Sequence, residues 1–148
     1  MQQESSFGVG LAPASSNLKE RQRSKIAEIR AALVETGHVA LDEQVTALGL
    51  PRSTACSILK RRHKSSGLSA DTIGRILRSP RLPGLVRQRT LEYMREKIEG
   101  HYGHTERRRR EFAKCLMVAL RNEFKIERAR HSNADAQKTH GEQVQRTA

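Results

Sequence analysis

Residues 41–61 read LDEQVTALGLPRSTACSILKR, and this stretch decides the fold that the sequence predicts. An apolar stripe at helical spacing predicts a short helix over 41–48: Leu41, Val45 and Leu48. Gly49 follows as a turn residue that can adopt positive φ without a Cβ penalty. Pro51 fits the first turn of a second helix, because its missing N–H costs nothing there. The stretch therefore predicts two short crossed helices, the second running over about 52–62, with a tight turn between them.

The rest of the chain carries helical patterns as well, and no alternating strand pattern of useful length. Four further helices are predicted, over about 18–35, 70–78, 85–99 and 105–130. Their ends are marked by Gly or Pro breaks and by capping residues, namely Ser16 or Asn17, Ser69 and Thr105. The predicted fold class is all-α. It is a small helical bundle with a helix-turn-helix, followed by a long C-terminal amphipathic helix, and it has disordered termini.

Charge is the strongest compositional signal. The chain has 28 Lys and Arg against 16 Asp and Glu, for a formal net charge of +12. Such an excess implies an anionic partner, either nucleic acid or an anionic membrane surface. Residues 52–89 alone contain ten cations and one anion, which favours nucleic acid. No apolar run approaches the roughly 20 residues that span a bilayer, and no secretory signal is recognisable, so a cytoplasmic, nucleoid-associated protein is expected.

The outward face of the second helix carries the functional prediction. Small polar side chains beside cations suit a helix that lies in the major groove of duplex DNA. Arg52 is assigned a bidentate guanine contact, while Ser53 and Ser57 either tune base choice or bind phosphate, two roles that the sequence does not separate. Thr54 is counted with them among the DNA-binding residues. The cations that follow are expected to neutralise phosphates: Lys60, Arg61, Arg62 and Lys64.

Three segments of this region resemble the DNA-binding headpiece of the lac-repressor-like and lambda-repressor-like families. They are Val39-Ala-Leu41, the run from Gly49 to Leu59, and the run from Leu68 to Leu77. The resemblance implies that positions like Arg52, Ser53 and Ser57 face bases, and that the following Ser-x-x-Thr helix packs behind. Val45 stands where such motifs usually place Ala. The loop from Lys60 to Gly67 and the absence of a sugar-binding domain restrict the resemblance to the headpiece.

The predicted sixth helix has two features that leave alternatives open. Four consecutive cations, Arg107, Arg108, Arg109 and Arg110, start the helix, where they oppose its dipole. They are either phosphate contacts or a solvated basic turn. An apolar stripe follows, and it must be buried: Phe112, Leu116, Leu120 and Phe124. It either docks on the first and fifth helices of the same chain or forms a homodimer interface.

The sequence indicates neither a metal site nor a catalytic site. His101 and His104 lack Cys or carboxylate ligands at metal-binding spacing, so no metal is expected. Cys56 and Cys115 share no CxxC spacing. There are no paired carboxylates, nucleophile motif or Gly-rich phosphate loop, so the sequence predicts no enzyme, no cofactor and no small-molecule ligand.

These patterns divide the chain into four segments. They are a flexible leader (1–17), a helix-turn-helix DNA-binding domain (18–78), a helical extension and candidate dimerisation arm (79–131), and a flexible tail (132–148). The leading hypothesis is a sequence-specific bacterial transcriptional regulator that binds duplex DNA as a homodimer. The alternatives are a non-specific nucleic-acid binder, of nucleoid type or RNA-binding, and a protein-interaction adaptor.

Overall fold

A computed structural model describes residues 14–121, which are all-helical and contain no strand. Five helices are bounded at both ends: α1 (Ala14–Glu35), α2 (Leu41–Leu48), α3 (Arg52–Leu59), α4 (Ala70–Arg78) and α5 (Gly84–Glu99). Helix α6 begins at residue 106 and continues through 121. The predicted all-helical bundle is confirmed. Residues 1–13, the predicted end of the sixth helix near 130, Phe124 and the tail 132–148 lie outside the described residues.

The beginning of α1 corrects the predicted leader. The helix starts at Ala14, inside the segment 1–17 that was expected to be flexible, so that prediction is wrong for residues 14–17. Alanine is the strongest helix former, and serine is tolerated in a first helical turn, where N–H groups need no intrahelical acceptor. The Ser/Ala composition of this stretch is therefore compatible with a helix start.

The helix pair agrees with the sequence in its position and its turn. Helix α2 covers the predicted residues, and Gly49 ends it with φ 63°, in the left-handed region. The crossing of α2 and α3 is filled by fully buried Leu48 and Ala55, with Leu50 and Ile58 also buried. Ser69 caps α4 as predicted, since its hydroxyl accepts a hydrogen bond from the Thr72 N–H at 3.2 Å. Helix α4 packs on α2 and α5.

Helix α3 is shorter than the sequence predicts. It ends at Leu59, whereas helical residues were expected as far as Arg62. The Arg62 N–H donates to the Ser57 carbonyl (2.8 Å) and the Arg61 N–H to the Ile58 carbonyl (3.2 Å), which is a Schellman ending. Arg61 takes the left-handed position of that ending with φ 57°, where glycine is usual. The basic residues beyond Leu59 therefore leave the helix in a turn.

The core joins both halves of the chain. Helix α1 makes its main packing contact with α5, through fully buried residues on both: Ile26, Ile29, Leu33, Val86 and Tyr93. The Tyr93 ring stacks on the Tyr102 ring with 5.4 Å between centroids. Residues 79–102 thus share one hydrophobic core with the helix-turn-helix, and this places α5 beneath the loop that follows α3.

The described part of the α6 apolar stripe, as far as Leu120, packs against the core of the same chain. Leu116 is buried, and Phe112 and Leu120 pack against the core. Docking on the first and fifth helices was one of two compatible expectations for this stripe, and the other, a homodimer interface, stays a prediction. The described contacts place α6 against the end of α5 and against α4, where a Cβ on Gly74 would lie 3.1 Å from that of Ala119. Met117 and Val118 on the same helix stay 61% and 60% exposed.

Candidate nucleic-acid interface

The exposed face of α3 carries the residues that were predicted to read bases. Arg52 and Ser53 are exposed, and Thr54 and Ser57 are half-buried. The Ser57 hydroxyl donates to the Ser53 carbonyl one turn back at 2.9 Å, so the hydroxyl lies along the helix surface. The structure therefore places Arg52, Ser53, Thr54 and Ser57 on the first two turns of one short helix, with none of them inside the core.

Arg52 has a partner that sequence reasoning missed. Its guanidinium donates from Nη1 to the Asp42 carboxylate, across the turn between α2 and α3. Both side chains are exposed, at 65% for Arg52 and 76% for Asp42. The sequence offered no direct signal for this pair, because the two residues are ten positions apart and meet only when the helices cross.

The turn after α3 forms a basic arm, which comprises residues 60–64. Lys60, Arg61, Arg62 and Lys64 are exposed, and within residues 14–121 none of them forms an ion pair or a side-chain hydrogen bond. Two other cations between residues 52 and 89 are paired, Arg75 with Asp71 and Arg89 with Glu92, both at 3.0 Å. Arg81 and Arg87 are exposed and form no ion pair within residues 14–121. Four of the unpaired cations in this part of the described chain therefore lie together in the turn directly after α3.

The segment that follows the arm is held by buried side chains of α1 and α5. The Lys97 ammonium, on a residue only 6% exposed, donates to the Ser66 carbonyl (2.9 Å) and to the Leu68 carbonyl. Gln22 donates to the same Ser66 carbonyl (3.1 Å) and to the Tyr93 hydroxyl (2.9 Å). The Leu68 N–H in turn donates to that hydroxyl at 3.0 Å. The arm is consequently anchored to the core at its C-terminal end.

We call the hydrogen-bonded group of Gln22, Tyr93 and Lys97 with the backbone of Ser66 and Leu68 the anchor. Burial in and beside the anchor shifts the pKa values of titratable side chains toward their neutral forms. Burial lowers the pKa of Lys97 to about 8, although its ammonium lies 4.6 Å from the centre of the Phe112 ring. Burial, together with the positive charge of Lys97, lowers the pKa of His104, whose Nε2 lies 3.3 Å from the Ser66 carbonyl. Burial and the nearby Arg23 lower the pKa of His63, so the surroundings of both imidazoles favour the neutral form.

The anchor predicts an unusual pH dependence of folding. In the unfolded chain Lys97 keeps its proton up to about pH 10.5, whereas in the folded chain it loses the proton near pH 8. Between these values the unfolded state binds more protons, so the free energy of unfolding should rise by about 2 kcal/mol. Burial raises the pKa of Tyr93 to about 12, which reverses the trend above pH 10, where the unfolded tyrosine ionises first.

Urea unfolding from pH 7 to pH 11 measures this profile, with Lys97→Met as the comparison. The variant keeps the length of the side chain but has no titrating group, so the rise between pH 8 and pH 10 should disappear. A variant that keeps the same rise would show that another group causes it.

The four arginines at the start of α6 have different roles. Arg109 donates to the Ile98 and Glu99 carbonyls (3.3 and 3.2 Å), which satisfies acceptors at the end of α5. Its guanidinium packs 3.1 Å from where a Cβ on Gly100 would stand. Arg110 pairs with Glu106, and Arg107 and Arg108 are exposed. The predicted cap is confirmed, because the Arg108 N–H donates to the Thr105 hydroxyl at 3.4 Å.

Other kinds of site find little support in the part of the chain that is described. Between residues 14 and 121 no group of three or more His, Cys, Asp or Glu could hold a metal ion. None of the helices in that range combines the length and the apolar character needed to cross a bilayer. Cys56 is half-buried on α3 and Cys115 is exposed on α6, and both are free thiols.

Comparison with known proteins adds no relative: neither the family models, nor the curated proteins, nor the solved structures include a match to this chain. The resemblance to repressor headpieces therefore stays a prediction from the residues between Val39 and Leu77.

Proposed function

We propose that the chain is a sequence-specific DNA-binding regulator that inserts α3 into the major groove of duplex DNA. The observation that carries the proposal is the position of the exposed α3 face next to four exposed cations that form no ion pair within residues 14–121. A groove-binding helix needs side chains that reach base edges from its first turns and cations that reach the flanking phosphates. Such a regulator would act on the bacterial nucleoid in the cytoplasm.

The two parts of this surface have different roles. Arg52 is the first residue of α3, and an arginine there can donate two hydrogen bonds to guanine O6 and N7. The hydroxyl of Ser57 donates its proton to the Ser53 carbonyl, so in this conformation it can contact a base only as an acceptor. The basic arm leaves the helix at its opposite end and supplies affinity for phosphates without sequence information.

Selection from a random duplex library is the experiment that tests the proposal. A sequence-specific regulator enriches one motif, and a homodimer enriches two half-sites about one helical turn apart. A single half-site would indicate a monomer. Retention of the library without an enriched motif would support the non-specific nucleic-acid binder. No retention at physiological salt would support the protein-interaction adaptor.

Loss of the Arg52 side chain should relax base choice at one position. Arg52→Ala removes the proposed guanine contact and should cost roughly 1–3 kcal/mol there, while the other positions keep their preference. Arg75→Ala is a matched control, because Arg75 is also a surface arginine paired with an aspartate, on α4. Fluorescence anisotropy with the selected duplex and its single-base variants measures both. If Arg52→Ala keeps the same base preference as the wild type at every position, Arg52 does not contact a base.

A further inference from the structure

We infer that Asp42 is a positioning residue for base recognition: it holds the Arg52 guanidinium on the groove side of α3 and so sharpens base choice. The inference rests on the proposed function. Asp42 lies in the first turn of α2, and Arg52 opens α3. Their ion pair spans the helix-turn-helix and stands on the surface. It therefore belongs to the face that the proposal places against DNA.

Stability alone does not account for this carboxylate. Exposed ion pairs contribute little to folding, between about 0 and 1 kcal/mol. The N-terminus of α2 is already served by Glu43, whose carboxylate accepts from the Ala40 N–H at 3.2 Å. Asp42 is an exposed negative charge at the end of α3 that the proposal places in the groove, where it opposes the binding of any duplex. An acidic side chain at this place is explained by what it does to Arg52.

The ion pair with Asp42 leaves one edge of the Arg52 guanidinium available to donate hydrogen bonds to a base. The guanidinium has five N–H donors in a planar fork, and the contact to Asp42 uses Nη1. Donors on Nη2 and Nε remain for the two acceptors of a guanine. A side chain fixed before binding loses less conformational freedom on contact, and it presents the fork in one orientation. The carboxylate also competes with phosphates for Arg52, which weakens binding to unrelated sequences.

Asp42→Asn keeps the shape of the side chain and removes its charge, so it is the decisive variant. We expect the discrimination of the selected base at one position to fall by at least about threefold, part of the range for a bidentate contact. Affinity for a scrambled duplex should rise in the same variant by about twofold, since one repulsive charge is gone. Asp42→Glu, which restores a carboxylate, should recover part of the discrimination.

Three comparisons make the result specific. Asp71→Asn removes the same charge from the exposed Asp71–Arg75 pair of α4, and it should leave base choice unchanged. In the Arg52→Ala background, Asp42→Asn should have no further effect on base choice, because its effect is transmitted through Arg52. Thermal unfolding followed by circular dichroism should give the same midpoint for Asp42→Asn and Asp71→Asn within a few degrees, since both lose an exposed pair.

The possible outcomes separate the inference from the function. If the wild type selects a motif and Asp42→Asn discriminates against wrong bases equally well, Asp42 has no positioning role and the proposed function stands. The positioning role is equally excluded if Asp42→Asn changes base choice when Arg52 is absent. If the wild type selects no motif, the proposed function and the inference fail together.

Discussion

Substitution of Gly67 by alanine is expected to destabilise the protein by about 3 kcal/mol, a large effect for one added methyl group. A Cβ at this position would stand 1.9 Å from Gln22 Nε2 and 2.2 Å from the Tyr93 hydroxyl oxygen. Both neighbours are buried and hydrogen-bonded to each other, so neither can move away without breaking the anchor of the basic arm. The left-handed φ of 76° adds backbone strain.

Gly37→Ala is the matched control for this substitution. Gly37 also has a left-handed φ, of 89°, but a Cβ there would meet no atom within 4 Å. It should therefore cost only the backbone term, about 1 kcal/mol. Chemical denaturation of both variants separates backbone strain from steric overlap. Equal losses in the two variants would contradict the tight packing of Gly67 against Gln22 and Tyr93.

The helix pair could be predicted from the sequence because its signals are local. The stripe on α2, Gly49 and Pro51 all act within a few residues of where they stand, and the crossing residues have the sizes that a close crossing needs. The exposed position of Arg52 follows from the same periodicity. Local pattern and tertiary packing agree here, as is usual where a segment folds around its own apolar face.

The end of α3 could not be predicted in this way. Arg61 adopts a left-handed conformation that a residue with a Cβ normally avoids, and no Gly or Pro between residues 59 and 66 marks the end of the helix in the sequence. Lys97 likewise has no sequence signal, because a lysine in an amphipathic helix is normally solvent-exposed. Its two carbonyl partners are about 30 residues away along the chain, and only the packing of α5 on α1 brings them together. Tertiary contacts therefore decided the burial of Lys97, whereas the end of α3 depends on the backbone conformation of Arg61.

If the chain binds DNA as proposed, neutralising the basic arm should have the largest effect on that binding. A variant with Lys60→Ala, Arg61→Gly, Arg62→Ala and Lys64→Ala loses up to four phosphate contacts. The log–log slope of affinity against salt should therefore become shallower by about 3.6, and affinity near 0.15 M salt should fall roughly a hundredfold or more. Fluorescence anisotropy titrations with the selected duplex at several salt concentrations measure both quantities.

The same variant should bind DNA more weakly but be at least as stable as the wild type. Arg61→Gly places glycine at φ 57°, where the Schellman ending of α3 favours it, and this should stabilise the fold by about 1 kcal/mol. The loss of four neighbouring positive charges also reduces repulsion within the chain. Weaker binding by a protein that is equally or more stable cannot be attributed to unfolding. Such a result would show that the arm lowers the stability of the fold while it supports binding, as is common for functional elements.

A second variant tests whether position or net charge matters. This variant removes four cations from α6, through Arg107→Ala, Arg108→Ala, Arg110→Ala and Lys114→Ala. The two variants therefore have the same net charge. Arg109 is left in place because it caps the end of α5. If the arm contacts phosphates beside α3, its removal should weaken binding at least about tenfold more than removal of the α6 cations. Equal losses would mean that DNA responds to total charge alone, and the assignment of the arm as the phosphate-binding element would be wrong.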